Sequence, residues 1–369
     1  MRRRPRDGSS HRRRLSNKLS SQPMPDPDSP NRTPTPGRTP IETDTLIGTP
    51  AWLPLATAPD ATVRLIRLTA AHYRAASFLD ARILQRSPPQ AECPVTTLAA
   101  AAARLAPNAQ FIFHIGHVGS TLLSRLAGEH PKLFSLREPT LLREAAQAGG
   151  DAGNGLTLPQ RLGLLSRTWR PEQRALIKAT SVVNEIAANL LACTADSRAI
   201  LLYTSAPTYL RAILAGPNSR LETRALASTR LERLRRRTGS TLPEPRSEGE
   251  WVAMSWLCEM AALEETTMRF GPRVRWMDFE RFLLEPGTRL AEMLHAVGVE
   301  PDTRMIETVL AGPLMHRYSK APEHAYDPDL RRRVLVQAGL EHTAEIRSGM
   351  DWLASQRSAH PLIAAALAR

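Results

Sequence analysis

Between residues 110 and 216 the chain alternates short, almost wholly apolar runs with amphipathic ones. "QFIFHI" (110–115), "KLFSL" (132–136), "RALIKAT" (174–180) and "RAILLYTS" (198–205) have strand length and no polar alternate face. Between and after them, "STLLSRLAGEH" (120–130), "LTLPQRLGLLSRTW" (156–169), "VVNEIAANLLA" (182–192) and "TYLRAILAG" (208–216) space their apolar residues as helices do. Strands apolar on both faces and separated by helices predict an α/β fold: a parallel sheet flanked by helices on both sides. Ligands of such sheets bind outside the carboxyl ends of the strands. Further on, "WVAMSWLCEMAALEETTMRF" (251–270) predicts a long helix, "RVRWMDFERFLLEP" (273–286) a strand entering a short helix, and "GTRLAEMLHAVGV" (287–299) another helix.

The flanks read differently. Residues 1–45 hold ten Lys/Arg against five Asp/Glu with many Pro and Ser, which predicts a disordered tail. Residues 46–369 are expected to form one domain. Its N-terminal region, 46–109, offers a strand at "TVRLIRL" (62–68) and helices at "AHYRAASFLDARIL" (71–84) and "PVTTLAAAAARL" (94–105). Residues 217–249 are Arg-rich and end in "GSTLPEPRSEGE", a pattern expected of a flexible, solvated loop or lid. The net charge of +13 suggests anionic partners, but the tail and residues 220–238 carry ten of those charges, five each. The remainder lacks the basic face of a nucleic-acid-binding module, so nucleic acid ranks last among the partners. Cys93, Cys193 and Cys258 are too far apart for a metal motif and odd in number, which fits a reducing compartment such as the cytoplasm. No apolar run reaches membrane-spanning length.

The chemistry concentrates after the first core strand, in "HIGHVGSTLLS" (114–124). Gly116 and Gly119 permit a turn whose backbone N–H groups point at an anion, and the helix that follows adds its positive end. Ser120 and Thr121 place two hydroxyls at that helix start. A nucleoside-triphosphatase loop would have Lys at the position of Ser120 and Gly at that of His114, so ATP or GTP hydrolysis is disfavoured. An ordinary strand–turn–helix with Ser120 as helix cap remains the plain alternative. A side chain at 119 is expected to obstruct an approaching phosphate without unfolding the chain.

"HVGST" (117–121) resembles the phosphosulfate loop of sulfotransferases that use 3′-phosphoadenosine-5′-phosphosulfate (PAPS). "HPKLFSLREPT" (130–140) is similar to the segment following that loop in tyrosylprotein and bacterial members, and "VRWMDFERFLLEP" (274–286) to a later segment. The resemblance covers about residues 110–325. It implies a P-loop NTPase-like sulfotransferase fold, PAPS as co-substrate, no metal, and transfer of a sulfonate to a hydroxyl or amine acceptor. It implies that residues 116–121, Val118 among them, hold the phosphosulfate. His117 stands at the family's Lys/Arg position, as donor to the leaving oxygen. Glu138 becomes the base, and Lys178 faces the transferring sulfonate. Plain alternatives are a surface His117, a Glu138 paired with Arg137 or Arg143, and a snorkelling Lys178.

Two positions depart from the family pattern. Thr204 and Ala212 stand where the Arg and Ser of the 3′-phosphate site are expected, leaving Ser205, Thr208 and Arg211 to rebuild it. Thr180 stands where cytosolic members carry a His. Trp251 and Trp256 offer either an adenine-stacking face or core packing. The polar loop "HRYSKAPEHAYDP" (316–328) supplies Arg317, Ser319 and Lys320 as further candidates for the nucleotide. Another phosphate ligand on the same fold, bound by a kinase-like or non-catalytic protein, is the second reading.

Overall fold

The computed structural model describes residues 41–58, 61–150, 155–317 and 328–369. Among the described residues eight strands form two sheets. β1 (Trp52–Thr57), β2 (Thr62–Arg67) and β3 (Gln90–Pro94) make a small antiparallel sheet. β4 (Ala109–His114), β5 (Leu133–Arg137), β6 (Arg174–Lys178), β7 (Ala199–Tyr203) and β8 (Val274–Asp278) make a parallel sheet in the order β5-β6-β4-β7-β8. The expected parallel sheet flanked by helices is therefore present, with the glycine-turn strand β4 at its centre. All six residues of β4 are buried, with Phe111, Ile112 and Phe113 fully so. Each such side chain contributes about 1.5–3 kcal/mol of burial. The register sets Lys178 beside both Ile112 and Arg137, so the carboxyl ends of β5, β6 and β4 come together at one edge.

The N-terminal region is a full three-stranded sheet rather than one strand with helices. β1 carries Pro54, and β3 is only five residues with polar alternate positions, so neither stands out until β2 pairs with both. The helix expected over 71–84 is interrupted. It runs Ala70–Ala75, and a 3₁₀ turn follows at Ala81–Arg86. Arg137 takes the carbonyls of Tyr73 and Ala76, and Asp80 caps the second turn by accepting from the Arg82 N–H (3.0 Å). The helix Thr43–Gly48, with Leu46 fully buried, starts inside the segment expected to be a disordered tail; residues 1–40 lie outside the described residues.

The Arg-rich segment is the largest correction. Residues 217–238 are two helices, Pro217–Ala225 and Ala227–Thr238, and only 239–247 remain irregular. Arg230 and Arg233 are buried against Glu259, a fully buried carboxylate on the long helix Glu248–Phe270. Arg233 and Arg237 also reach Glu185 (2.8 Å each), and Arg237 reaches Glu265 (2.8 Å). The partners sit on elements distant in sequence, so local composition reads these arginines as solvated. Among the described residues no helix is long and apolar enough to cross a membrane.

Candidate functional site

The site begins where β4 ends. Gly116, His117 and Gly119 all take positive φ (85°, 54° and 67°), a run of left-handed residues that turns the chain into the helix Ser120–Ala127. Space around Gly116 is open: a Cβ there would meet nothing within 4 Å. Gly119 is different. A Cβ would lie 2.1 Å from the Phe279 ring, so a side chain at 119 would displace that ring as well as strain the turn. Substitution there consequently tests packing before it tests phosphate approach, contrary to the expectation that such a change would leave the fold intact. Val118 is buried, and Ser120 and Thr121 face inward at the helix start.

His117 also holds left-handed backbone, an uncommon conformation for a residue with a side chain. Its Nε2 lies 3.5 Å from Glu222, and its Nδ1 lies 3.5 Å from the Ser219 hydroxyl. Both partners belong to the helix Pro217–Ala225, so part of the Arg-rich segment contacts the loop. The histidine is about a quarter exposed rather than free on the surface.

One strand away, Glu138 and Lys178 form a direct ion pair. Glu138 follows β5 with φ 53°, and its N–H donates to the Lys178 carbonyl (2.7 Å). Pro139 and the helix Thr140–Gln147 come next. A non-glycine residue held in this region costs of order 1–3 kcal/mol, supported by the surrounding structure. Lys178 is fully buried and Glu138 nearly so. Arg82 (3.8 Å) and Arg143 (3.7 Å) approach the second Glu138 oxygen. Both arginines are tied to Asp80, at 2.5 and 3.2 Å. Burial alone would raise the Asp80 pKa. Hydrogen bonds from Arg82 and the charges of Arg82 and Arg143 outweigh it and hold the carboxyl below its usual value. The Arg82 guanidinium lies 3.4 Å from the centre of the Phe78 ring, a cation–π contact that fixes its plane. Three cations thus converge on two carboxylates at the carboxyl edge of β5 and β6.

The two alternatives for Glu138 separate cleanly. Arg137 points away, donating to Tyr73, Ala76 and Ser135. Arg143 is a partner, 30% exposed, and it shares Glu138 with the buried Lys178. Lys178 does not snorkel.

Three threonine hydroxyls surround the same strand ends. Thr121, Thr180 and Thr204 each bury an Oγ1 that has no hydrogen-bond partner among the described residues. Buried polar atoms without partners are rare in folded proteins and call for an explanation. Thr180 follows β6, Thr204 follows β7, and Thr121 lies in the helix after β4.

The remaining candidates disperse. Ser205 donates to Thr208 (3.1 Å) at the start of the helix Ala206–Leu214. Arg211 is exposed and lies against Gly339 of the helix Pro328–Glu341. Arg317 is exposed, and Ser319 and Lys320 lie outside the described residues. Trp256 is core: it is 2% exposed, and its indole donates to the Thr204 carbonyl (3.0 Å), fixing the end of β7. Trp251 packs partly buried against the core.

Sequence reading missed Asp80, Arg82 and Glu222 as site residues. The first two lay in "SFLDARIL", which the apolar spacing assigned to one helix. The signal there was Asp80, a helix breaker and cap placed between two apolar stretches.

The fold and site define a parallel α/β protein with a glycine turn and a buried carboxylate–lysine pair at the strand ends. No protein-family model matches the chain, and no curated protein matches it in sequence. Solved structures with a similar chain trace include several sulfotransferases and a retinol dehydratase. A sulfotransferase domain from the curacin biosynthetic pathway is 14% identical, with a TM-score of 0.44 over 65% of this chain and 98% of its own. A sulfotransferase from Alicyclobacillus acidocaldarius is 16% identical, with a TM-score of 0.34 over 65% and 96%. A mouse sulfotransferase complexed with PAP is 10% identical, with a TM-score of 0.39 over 73% and 92%.

Proposed function

We propose that this chain is a sulfotransferase-like enzyme that transfers a sulfonate from PAPS to a hydroxyl or amine acceptor. The observation carrying this reading is the buried Glu138–Lys178 pair, held by left-handed backbone at Glu138, one strand from a glycine turn with open space at Gly116. The residues present suit a phosphosulfate. The turn and helix start offer N–H groups, Ser120 and Thr121 offer hydroxyls, Lys178 offers a cation, and the Thr121 hydroxyl still lacks a partner among the described residues. PAPS supplies a sulfonate on a phosphate leaving group. Lys178, drawn from Glu138 toward added negative charge, releases a Glu138 oxygen. That oxygen then accepts the proton of the acceptor hydroxyl or amine. His117 donates a hydrogen bond beside the loop, with Glu222 behind its other nitrogen. Glu138→Gln tests the assignment: nucleotide affinity should hold while turnover falls about 10²–10⁴-fold, or ~3–5 kcal/mol of barrier. Full activity in that variant removes Glu138 from the mechanism.

The second reading, a phosphate ligand without a 3′-phosphate, has its own support. Thr204 is a fully buried hydroxyl where a cation is expected, and Arg211 is exposed against Gly339. Calorimetry with 3′,5′-adenosine bisphosphate against ATP distinguishes the two. Tighter ATP binding favours the second.

A further inference from the structure

We propose that a second, separate cavity binds a small organic anion with a flat apolar body. A cavity of about 660 Å³ lies beside β5, within the range of small-molecule sites. The helix Ala70–Ala75, the end of the helix Ser120–Ala127 and the turn before β6 enclose it. It faces away from the Glu138–Lys178 pair: Arg137 lines it, while the next residue, Glu138, turns to the strand-end site.

Its lining combines charge with aromatic surface. Arg74, Arg125, Arg137 and Arg170 contribute four cations, and Glu129 is the only carboxylate among the described lining residues. Arg137 is 2% exposed and donates to Tyr73, Ala76 and Ser135, so it shapes the wall. Arg74 and Arg170 stand at the mouth, 74% and 52% exposed, each with one loose carboxylate contact (3.8 Å to Glu129 and 3.3 Å to Glu172). Arg170 also donates to the Pro131 carbonyl (2.8 Å), which holds it at the mouth, while Arg74 can turn onto an anionic group. Phe134 and Trp169 supply apolar faces. The Trp169 indole N–H and Gln173 Oε1 are buried behind this lining without a hydrogen-bond partner among the described residues. An excess of arginine around aromatic faces selects a flat anion, such as an aryl sulfonate or aryl carboxylate, over a neutral body of the same shape.

The test uses the full chain and 8-anilinonaphthalene-1-sulfonate, titrated by fluorescence and calorimetry, with N-phenyl-1-naphthylamine as the uncharged counterpart. Saturable binding at one site is expected, at least about tenfold tighter for the sulfonate, a difference of about 1.4 kcal/mol. Arg74→Glu with Arg170→Glu should weaken it at least about tenfold, because both partners at the mouth change sign. Ala75→Trp, which fills the cavity from an exposed position, should abolish it. Trp169→Phe should lower the indole-to-probe energy transfer more than Trp352→Phe does. Absence of saturable binding, or affinity unchanged in both the charge-reversed and the filled variants, overturns the proposal.

Discussion

Two arginine-containing clusters in this protein look alike in composition and differ in use. In the helix Ala227–Thr238, the side chains of Arg230, Arg233 and Arg237 are largely covered and meet Glu185, Glu259 and Glu265 along packed helix faces. The long helix Glu248–Phe270 closes that cluster, and Asn184 completes it by donating to Glu259 (2.9 Å) and to the His114 carbonyl (3.0 Å). At the carboxyl edge of β5 and β6, Arg82, Arg143 and Lys178 meet Asp80 and Glu138. There the backbone is left-handed, Arg82 is half exposed, and neighbouring threonine hydroxyls lack partners. The first cluster pairs each of its charges with an opposite one within the fold. The second holds charge at a strand edge, where the proposed function has a ligand exchange partners with it. Local charge count cannot distinguish the two, and neither can unmet hydrogen bonds, since Arg233 Nε and Asn184 Oδ1 lack partners among the described residues in the first and Arg143 Nε in the second; the left-handed backbone at Glu138 does.

That distinction predicts unequal penalties. Glu259→Ala should be the most damaging to stability. It leaves Arg230 and Arg233 buried without their shared carboxylate, at a cost of about 3–5 kcal/mol measured by urea denaturation. Glu138→Gln should instead appear mainly in turnover. If its denaturation midpoint falls as far as that of Glu259→Ala while turnover holds, the two clusters serve the same structural purpose.

Within the first cluster, Arg237→Ala should cost about 2–4 kcal/mol and Arg236→Ala less than about 1 kcal/mol. Arg237 is 7% exposed with two partners, whereas Arg236 is 73% exposed with one at 3.4 Å. Equal effects would mean that burial does not set the value of these pairs.

Acid should weaken both clusters. Burial raises the Glu185 pKa, but the hydrogen bond from Arg237 and the charges of Arg233 and Arg237 outweigh it, so the folded value lies below 4.5. Its contribution is fully present above about pH 4.5 and is lost as pH falls through the folded value. Asp80 behaves the same way below its usual 3.8. Unfolding free energy measured from pH 6 to 3 should therefore fall on the acid side, and Arg237→Ala should flatten that fall.

The smallest stability change belongs to His117→Gly. Relief of left-handed strain and the added freedom of the unfolded chain oppose each other, so the net shift should stay within about 1 kcal/mol. Turnover should nevertheless drop, because the loop loses its donor. Loss of stability without loss of turnover would place His117 with the structural cluster.

The sequence by itself determined the parallel sheet, because strands such as "QFIFHI" and "RAILLYTS" are apolar on both faces and can be satisfied only between layers of helices. It also determined the glycine turn, since Gly116 and Gly119 occupy the spacing that left-handed backbone requires, and it singled out Glu138 and Lys178 at the ends of their strands. Only tertiary structure decided that these two touch, because that depends on the register that sets Arg137 beside Lys178 across β5 and β6. It also brought Asp80 and Arg82 to Glu138 from a segment more than fifty residues earlier, and it turned residues 217–238 from an expected lid into packed helices. The physical reason is common to all three. Hydrophobic periodicity and glycine placement act over a few residues, whereas the worth of a charge depends on which opposite charge the fold delivers and how much water it removes.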